Sequence, residues 1–149
     1  MSQFKNNPDF NLYYSDTDSA YIDKPLPDHL VHSKDLGKMK LENTLAKAIF
    51  LAPKVYYLET IEDKVIYKVK GLKHEIELNR SDFESLLYKD TILQKSQSKW
   101  FRNLSDAHIK ILELVYTLKV TENKRKLIYK NGKLIGTKAY KIDENKDIT

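Results

Sequence analysis

An α+β fold dominated by antiparallel strands is predicted for this chain of 149 residues by three observations. Polar and apolar residues alternate over several short runs, which is the period of half-buried strands. Asn131-Gly132 separates two such runs, and both residues tolerate the positive φ of a two-residue hairpin turn. Ser81-Asp82-Phe83-Glu84 matches a helix-opening box, with Ser at the N-cap and Glu three residues on.

The elements follow in chain order. Asn11-Leu12-Tyr13-Tyr14 reads as a short strand and Ala20-Tyr21-Ile22 as its return, with Tyr14-Ser15-Asp16-Thr17-Asp18-Ser19 carrying the turn. Asp23-Lys24-Pro25-Leu26-Pro27-Asp28 is turn-prone, because its prolines forbid regular pairing. Gly37-Lys38-Met39-Lys40-Leu41-Glu42 alternates and reads as a half-buried strand. Ala48 to Leu58 is apolar and aromatic, interrupted only at Pro53-Lys54. Glu62-Asp63 makes a turn before the alternating run Lys64 to Lys70. Phe83, Leu86 and Leu87 supply the buried stripe of the helix. Leu112, Leu114, Tyr116, Leu118 and Val120 alternate as a further strand, and Leu127 to Lys130 pairs with Lys133 to Ile135 across Asn131-Gly132. A soft boundary near Thr60 separates residues 1–60 from the more basic remainder, 61–149.

The length is that of one domain or part of a larger one, and suffices for a real core. No apolar run approaches the roughly 20 residues of a membrane span. The absence of cysteine excludes disulfides and thiolate metal sites. Met1 to Pro8 has neither the apolar core of a secretory signal nor the Arg-rich pattern of a transit peptide. The formal net charge of +5 is unevenly placed. Residues 1–53 hold six Lys against seven Asp or Glu, whereas Lys119 to Lys141 hold eight Lys or Arg against Glu122 alone. A basic stripe set apart from an acidic site suits a polyanion laid across a metal centre; a solvated lysine surface is the plainer alternative.

Asp16 and Asp18 stand two residues apart in the first hairpin, where both can point into one small volume. Carboxylates that close repel and shift each other's pKa unless a cation or proton lies between them. Mg²⁺ is held by one or two carboxylates with phosphate and water, and two such ions can clamp both oxygens of a phosphoryl transfer. A complete centre of that kind needs a further carboxylate, and the alternative for the pair alone is a solvated acidic turn. Phosphatases with an aspartyl nucleophile share Asp-x-Asp, but they need a parallel sheet that this pattern does not offer. In an extended strand Lys54 and Tyr56 share a face, where ammonium and phenol suit a nucleic-acid backbone. Lys124, Arg125 and Lys126 centre the C-terminal basic stretch, with Tyr116, Tyr129 and Tyr140 interleaved, a composition for salt-sensitive phosphate contact. His29 and His32 lack a third ligand and read as surface residues.

Together these residues resemble the C-terminal part of a family B DNA polymerase, of the protein-primed type encoded by linear plasmids of fungal mitochondria. Tyr14-Ser15-Asp16-Thr17-Asp18-Ser19 is similar to that family's palm motif Tyr-x-Asp-Thr-Asp-Ser. Lys54-Val55-Tyr56 is similar to its Lys-x-Tyr motif, and Leu36 to Glu42 to the strand between them. Trp100 to Tyr140 looks like the family's C-terminal region. The resemblance implies a palm end over 1–60 and a thumb-like region over 61–149. Asp18 would bind catalytic Mg²⁺ with Asp16 at or near the site, and Lys54 and Tyr56 would hold the primer terminus. The implied partners are primed template DNA and deoxynucleoside triphosphates, and the missing polymerase portion or a terminal protein, with no membrane. The implied location is the mitochondrion. The family's other catalytic Asp motif, its fingers Lys motif and its exonuclease have no counterpart here, so the chain alone is expected not to polymerise. Two rivals are a non-catalytic nucleic-acid-binding remnant and a small Mg²⁺-dependent phosphohydrolase built on Asp16.

Overall fold

A computed structural model of the chain describes residues 2–139 except 6, 74, 104–107, 123 and 124. It divides into two compact units, Met1–Lys70 and Gly71–Thr149. The expected boundary near Thr60 would separate two strands that hydrogen-bond to each other, and the division falls after them.

The first unit opens with helix α1 (Ser2–Lys5), followed by the hairpin of β1 (Leu12–Asp16) and β2 (Ser19–Ile22). A 3₁₀ turn at Asp28–Leu30 leads to the sheet of β3 (Leu45–Ala52), β4 (Val55–Thr60) and β5 (Val65–Val69). That sheet is antiparallel in the order β3-β4-β5. The central strand β4 is covered on both faces: Val55 and Tyr57 are buried on one, Leu58 and Thr60 on the other. Ile49 and Leu51 of β3 and Val69 of β5 complete this interior. The turn from β4 to β5 is closed by Thr60, whose N–H donates to the Lys64 carbonyl (3.0 Å) and whose Oγ1 accepts from the Lys64 N–H (3.1 Å).

The strand expected over Gly37 to Glu42 does not form. Met39 makes only a single bridge to Val31, Gly37 turns the chain at φ 84°, and residues 40–44 belong to no element. The physical reason lies in its apolar residues: Met39 is only half-buried and Leu41 is largely exposed, as is Leu36 just before them. Alternation without a surface to bury against leaves no driving force for a strand.

In the second unit, helix α2 (Arg80–Ser85) precedes β6 (Leu93–Asn103), β7 (His108–Leu118), β8 (Arg125–Lys130) and β9 (Lys133–Ala139), paired as two antiparallel hairpins. The N-cap of α2 is Asn79 rather than Ser81. Asn79 Oδ1 accepts from the Asp82 N–H and Asp82 Oδ2 accepts from the Asn79 N–H, both at 3.0 Å. The box therefore sits two residues upstream of the expected one, because Asn and Asp make the same reciprocal bonds as Ser and Glu. Phe83 and Leu86 are sealed from solvent, as the helical stripe requires, while Leu87 is half-buried. Asn131 (φ 50°) and Gly132 (φ 76°) form the β8–β9 turn, as the dipeptide predicts.

The alternating strand at Leu112 to Val120 is present as β7, although it begins earlier and stops at Leu118. Its partner β6 is unforeseen, since Gln94-Lys95-Ser96-Gln97-Ser98-Lys99 has no apolar alternation to announce it. Gln97 is buried at the base of this ribbon with both amide ends satisfied. Its Oε1 accepts from the Lys73 N–H and its Nε2 donates to the Gly71 carbonyl, each at 3.2 Å. Gly71 takes φ 91°, and the ring of Tyr116 stands 3.3 Å from where a Cβ would lie, so a side chain fits there in neither sense.

Candidate functional site

β1 and β2 pair as Asp16↔Ser19, leaving Thr17-Asp18 as a two-residue turn. Thr17 takes φ 49°, a region that β-branched residues rarely enter. The Ser19 hydroxyl closes the turn by donating to the Asp16 carbonyl at 3.1 Å. Asp18 is exposed at the tip, and Asp16 is half-buried on the strand.

The second motif arrives through the β3–β4 turn. Ala52 pairs with Val55, so Pro53-Lys54 is the turn, with Lys54 at φ 60°. Pro followed by a left-handed residue is the pattern of a type II turn, where Gly or Asn ordinarily takes the second position. Lys54 is therefore not in an extended strand beside Tyr56, contrary to the expectation. The turn aims it elsewhere: its Nζ donates to Asp16 Oδ2 at 2.6 Å, across 38 residues of sequence. Its backbone N–H donates to Tyr14 Oη at 2.9 Å. The hydrogen bond from Lys54 holds the Asp16 carboxyl below its ordinary value of 3.8, with smaller help from Thr17 and Lys68. By the same bond the Lys54 ammonium is raised above 10.5.

Behind this clasp lies an aromatic cluster that the sequence pattern did not announce. Tyr14 stacks on Phe50 at 5.0 Å between ring centroids, Tyr21 meets Phe50 edge-on at 5.1 Å, and Tyr56 tilts against Tyr14 at 5.6 Å. Phe50 and Tyr56 are direct cross-strand partners, so the hairpin seals one face of the sheet with its own tyrosines. Desolvation in this cluster, together with Tyr56, pushes the Tyr21 phenol up to about 12. A signal was available: Tyr14 and Asp16 stand at i and i+2 on β1, hence on one face, and both engage Lys54.

Metal binding meets a plain limit in this donor set. Among the described residues no three Asp, Glu or His side chains gather as a site for an ion. One oxygen of Asp16 is already engaged by an ammonium. Asp16 and Asp18 by themselves would be only part of the ligand set that a two-metal centre needs.

The C-terminal basic residues divide. Lys124 lies outside the described residues. Arg125 folds back on its own hairpin, with Nε donating to Thr137 Oγ1 at 2.8 Å and Nη2 to the Thr137 carbonyl at 3.2 Å. Lys126 is exposed directly opposite Lys138, and Lys130 directly opposite Lys133. Like charges in such register destabilise a hairpin, so the arrangement favours an external anion. His32 pairs with Asp35 at 3.0 Å on the surface, as a surface reading of the histidines expects.

No protein-family model matches the chain, and no solved structure matches it. Curated relatives do. The chain is 36% identical over 144 residues to a protein of Ascobolus immersus named probable DNA polymerase, an alignment covering 93% of the chain and 12% of that protein. It is 37% identical over 111 residues to a probable DNA polymerase of Neurospora intermedia, covering 73% of the chain and 12% of the relative. With a probable DNA polymerase of Podospora anserina it shares 34% identity over 138 residues, 86% of the chain and 11% of the relative. The chain thus spans about an eighth of the length of the curated relatives it matches. These identities support reading it as a fragment of a DNA polymerase.

Proposed function

We propose that the chain is a segment of a family B, protein-primed DNA polymerase, the end of the palm followed by a thumb-like region. The observation that carries this reading is the clasp. Two motifs distant in sequence, Tyr-x-Asp-Thr-Asp-Ser and Lys-x-Tyr, meet at 2.6 Å through Asp16 and Lys54. In this reading Asp18, at the exposed tip, contributes one ligand to a Mg²⁺ centre that other parts of the enzyme complete. Asp16 positions Lys54, and Lys54 with Tyr56 faces the primer end. The paired lysines of β8–β9 carry the duplex through its phosphates, independent of sequence. The substrates are primed template DNA and deoxynucleoside triphosphates, the priming partner a terminal protein, and the setting a mitochondrial linear plasmid. With two carboxylates at this site among the described residues, one of them ion-paired, the chain by itself does not polymerise.

Purified chain offers a direct test. It should bind primed template DNA at low salt and release it as salt rises. It should give no extension product with Mg²⁺ and the four nucleotides. Binding should weaken when Lys126 and Lys138 are both changed to Glu. Failure to bind DNA at low salt, or turnover of a generic phosphate ester through Asp16, would sink the reading, and extension by the isolated chain would refute its inactivity.

A further inference from the structure

The distal half of the β6–β7 ribbon combines exposed rings with cations. Register places Trp100 opposite Ile111, Phe101 opposite Lys110 and Arg102 opposite Ile109. Trp100 is 69% exposed and Phe101 45%, large apolar surfaces left in water. An open groove of about 590 Å³ runs beside them, lined by Lys73, Glu75, Ser98, Lys99, Trp100 and Phe101. Trp100 and Phe101 point to opposite faces of the ribbon, so a groove touching both follows a strand edge. No β7 residue lines it, and β7 is the strand to which β6 is hydrogen-bonded, so this is the unpaired edge of β6.

We propose that this edge groove binds single-stranded nucleic acid, with a base stacked on the Trp100 indole and the backbone phosphates on Lys73 and Lys99. Aromatic faces beside a cationic track are how single strands are held without sequence preference. In sequence, Lys73, Lys99, Arg102 and Lys110 outnumber Glu75, Asp106 and Glu113 along this stretch, which favours a polyanion over an apolar or basic protein segment. The choice of DNA as ligand rests on the polymerase reading, while the stacking rests on the ribbon alone.

Trp100 is the single tryptophan of the chain, so fluorescence excited at the red edge, where tyrosine does not absorb, reports on this position. Short oligo(dT) should quench it to saturation, and less tightly as salt rises. An abasic oligomer with the same number of phosphates should bind more weakly and quench little. In anisotropy titrations with labelled oligo(dT), Trp100→Ala should lose roughly 5- to 150-fold in affinity, the worth of one stacked base. Trp100→Phe should retain most of it. Equal affinity in Trp100→Ala, or equal quenching by the abasic oligomer, overturns the stacking site. So does an emission shift that tracks protein concentration without DNA, which would assign the groove to a second copy. DNA binding that depends on Lys126 and Lys138 but leaves Trp100 emission unmoved also overturns it, with the polymerase reading intact. Base-dependent quenching alongside turnover of a phosphate ester would instead uphold the stacking site and sink the polymerase reading.

Discussion

In the first unit a central strand is buried on both faces, Val55 and Tyr57 on one and Leu58 and Thr60 on the other, with Ile49 and Leu51 of the neighbouring strand buried as well. The second unit keeps a small knot around Leu78, Phe83, Leu86 and Leu118, and then sends two-stranded ribbons outward with Ile109, Ile111 and Val115 in solvent. Isolated two-stranded ribbons are marginal in water, so the second unit has little redundancy in what holds it. The first carries the acidic turn on the β1–β2 hairpin, whose Tyr14 packs on Phe50 of the three-stranded sheet that supplies Lys54. The second spreads cations and aromatics over exposed hairpins. A positioned site and an extended contact surface make different demands on a core, and the two units answer them separately.

The largest expected effect tests that imbalance. Phe83→Ala empties the centre of the smaller core and should cost about 3–5 kcal/mol. Urea melts followed by Trp100 emission report the second unit, and hydrogen exchange across Val55–Thr60 reports the first. Loss of protection in both together would show that the units are one cooperative body and break the comparison. A middle-sized effect sharpens how the second unit is built. Asn79→Ala should cost about 1 kcal/mol by removing the cap, whereas Ser81→Ala should stay within about 0.5 kcal/mol. The reverse order in thermal melts would return the helix start to Ser81.

The smallest effect belongs to the clasp. The Asp16 carboxyl is depressed below 3.8, so its contribution is fully present above that value and is lost as pH falls through the depressed one. Lys54 is raised above 10.5, so its contribution is full below 10.5 and is lost as pH climbs through the raised one. Carboxyl titration by NMR should therefore place Asp16 below Asp16 in the Lys54→Met variant, whose carboxyl should return towards its ordinary value. A titration untouched by Lys54→Met would remove the clasp from the site.

Much of the architecture could be read from local chemistry. Asn131-Gly132 and Glu62-Asp63 are turns because their φ preferences suit them, and the strands beside them follow by period; Pro53-Lys54 reads only as an interruption, because a lysine does not announce a left-handed position. The failures share one cause. Gly37 to Glu42 alternates but meets no surface, and β6 forms from polar residues because β7 supplies its partner. Of the candidate site, Asp16, Asp18, Lys54 and Tyr56 were readable as motifs. The role of Tyr14, Tyr21 and Phe50 was not, because ring stacking depends on two segments that meet only after folding.

By itself the sequence determined the hairpin that carries both carboxylates and the basic final hairpin, since each follows from residues within a few positions. Only the tertiary structure decided which carboxylate is engaged. Lys54, at a left-handed turn position, reaches back across 38 residues to Asp16 and leaves Asp18 at the open tip. That choice depends on the packing of four aromatic rings between hairpin and sheet, an interaction between distant segments that no local pattern encodes.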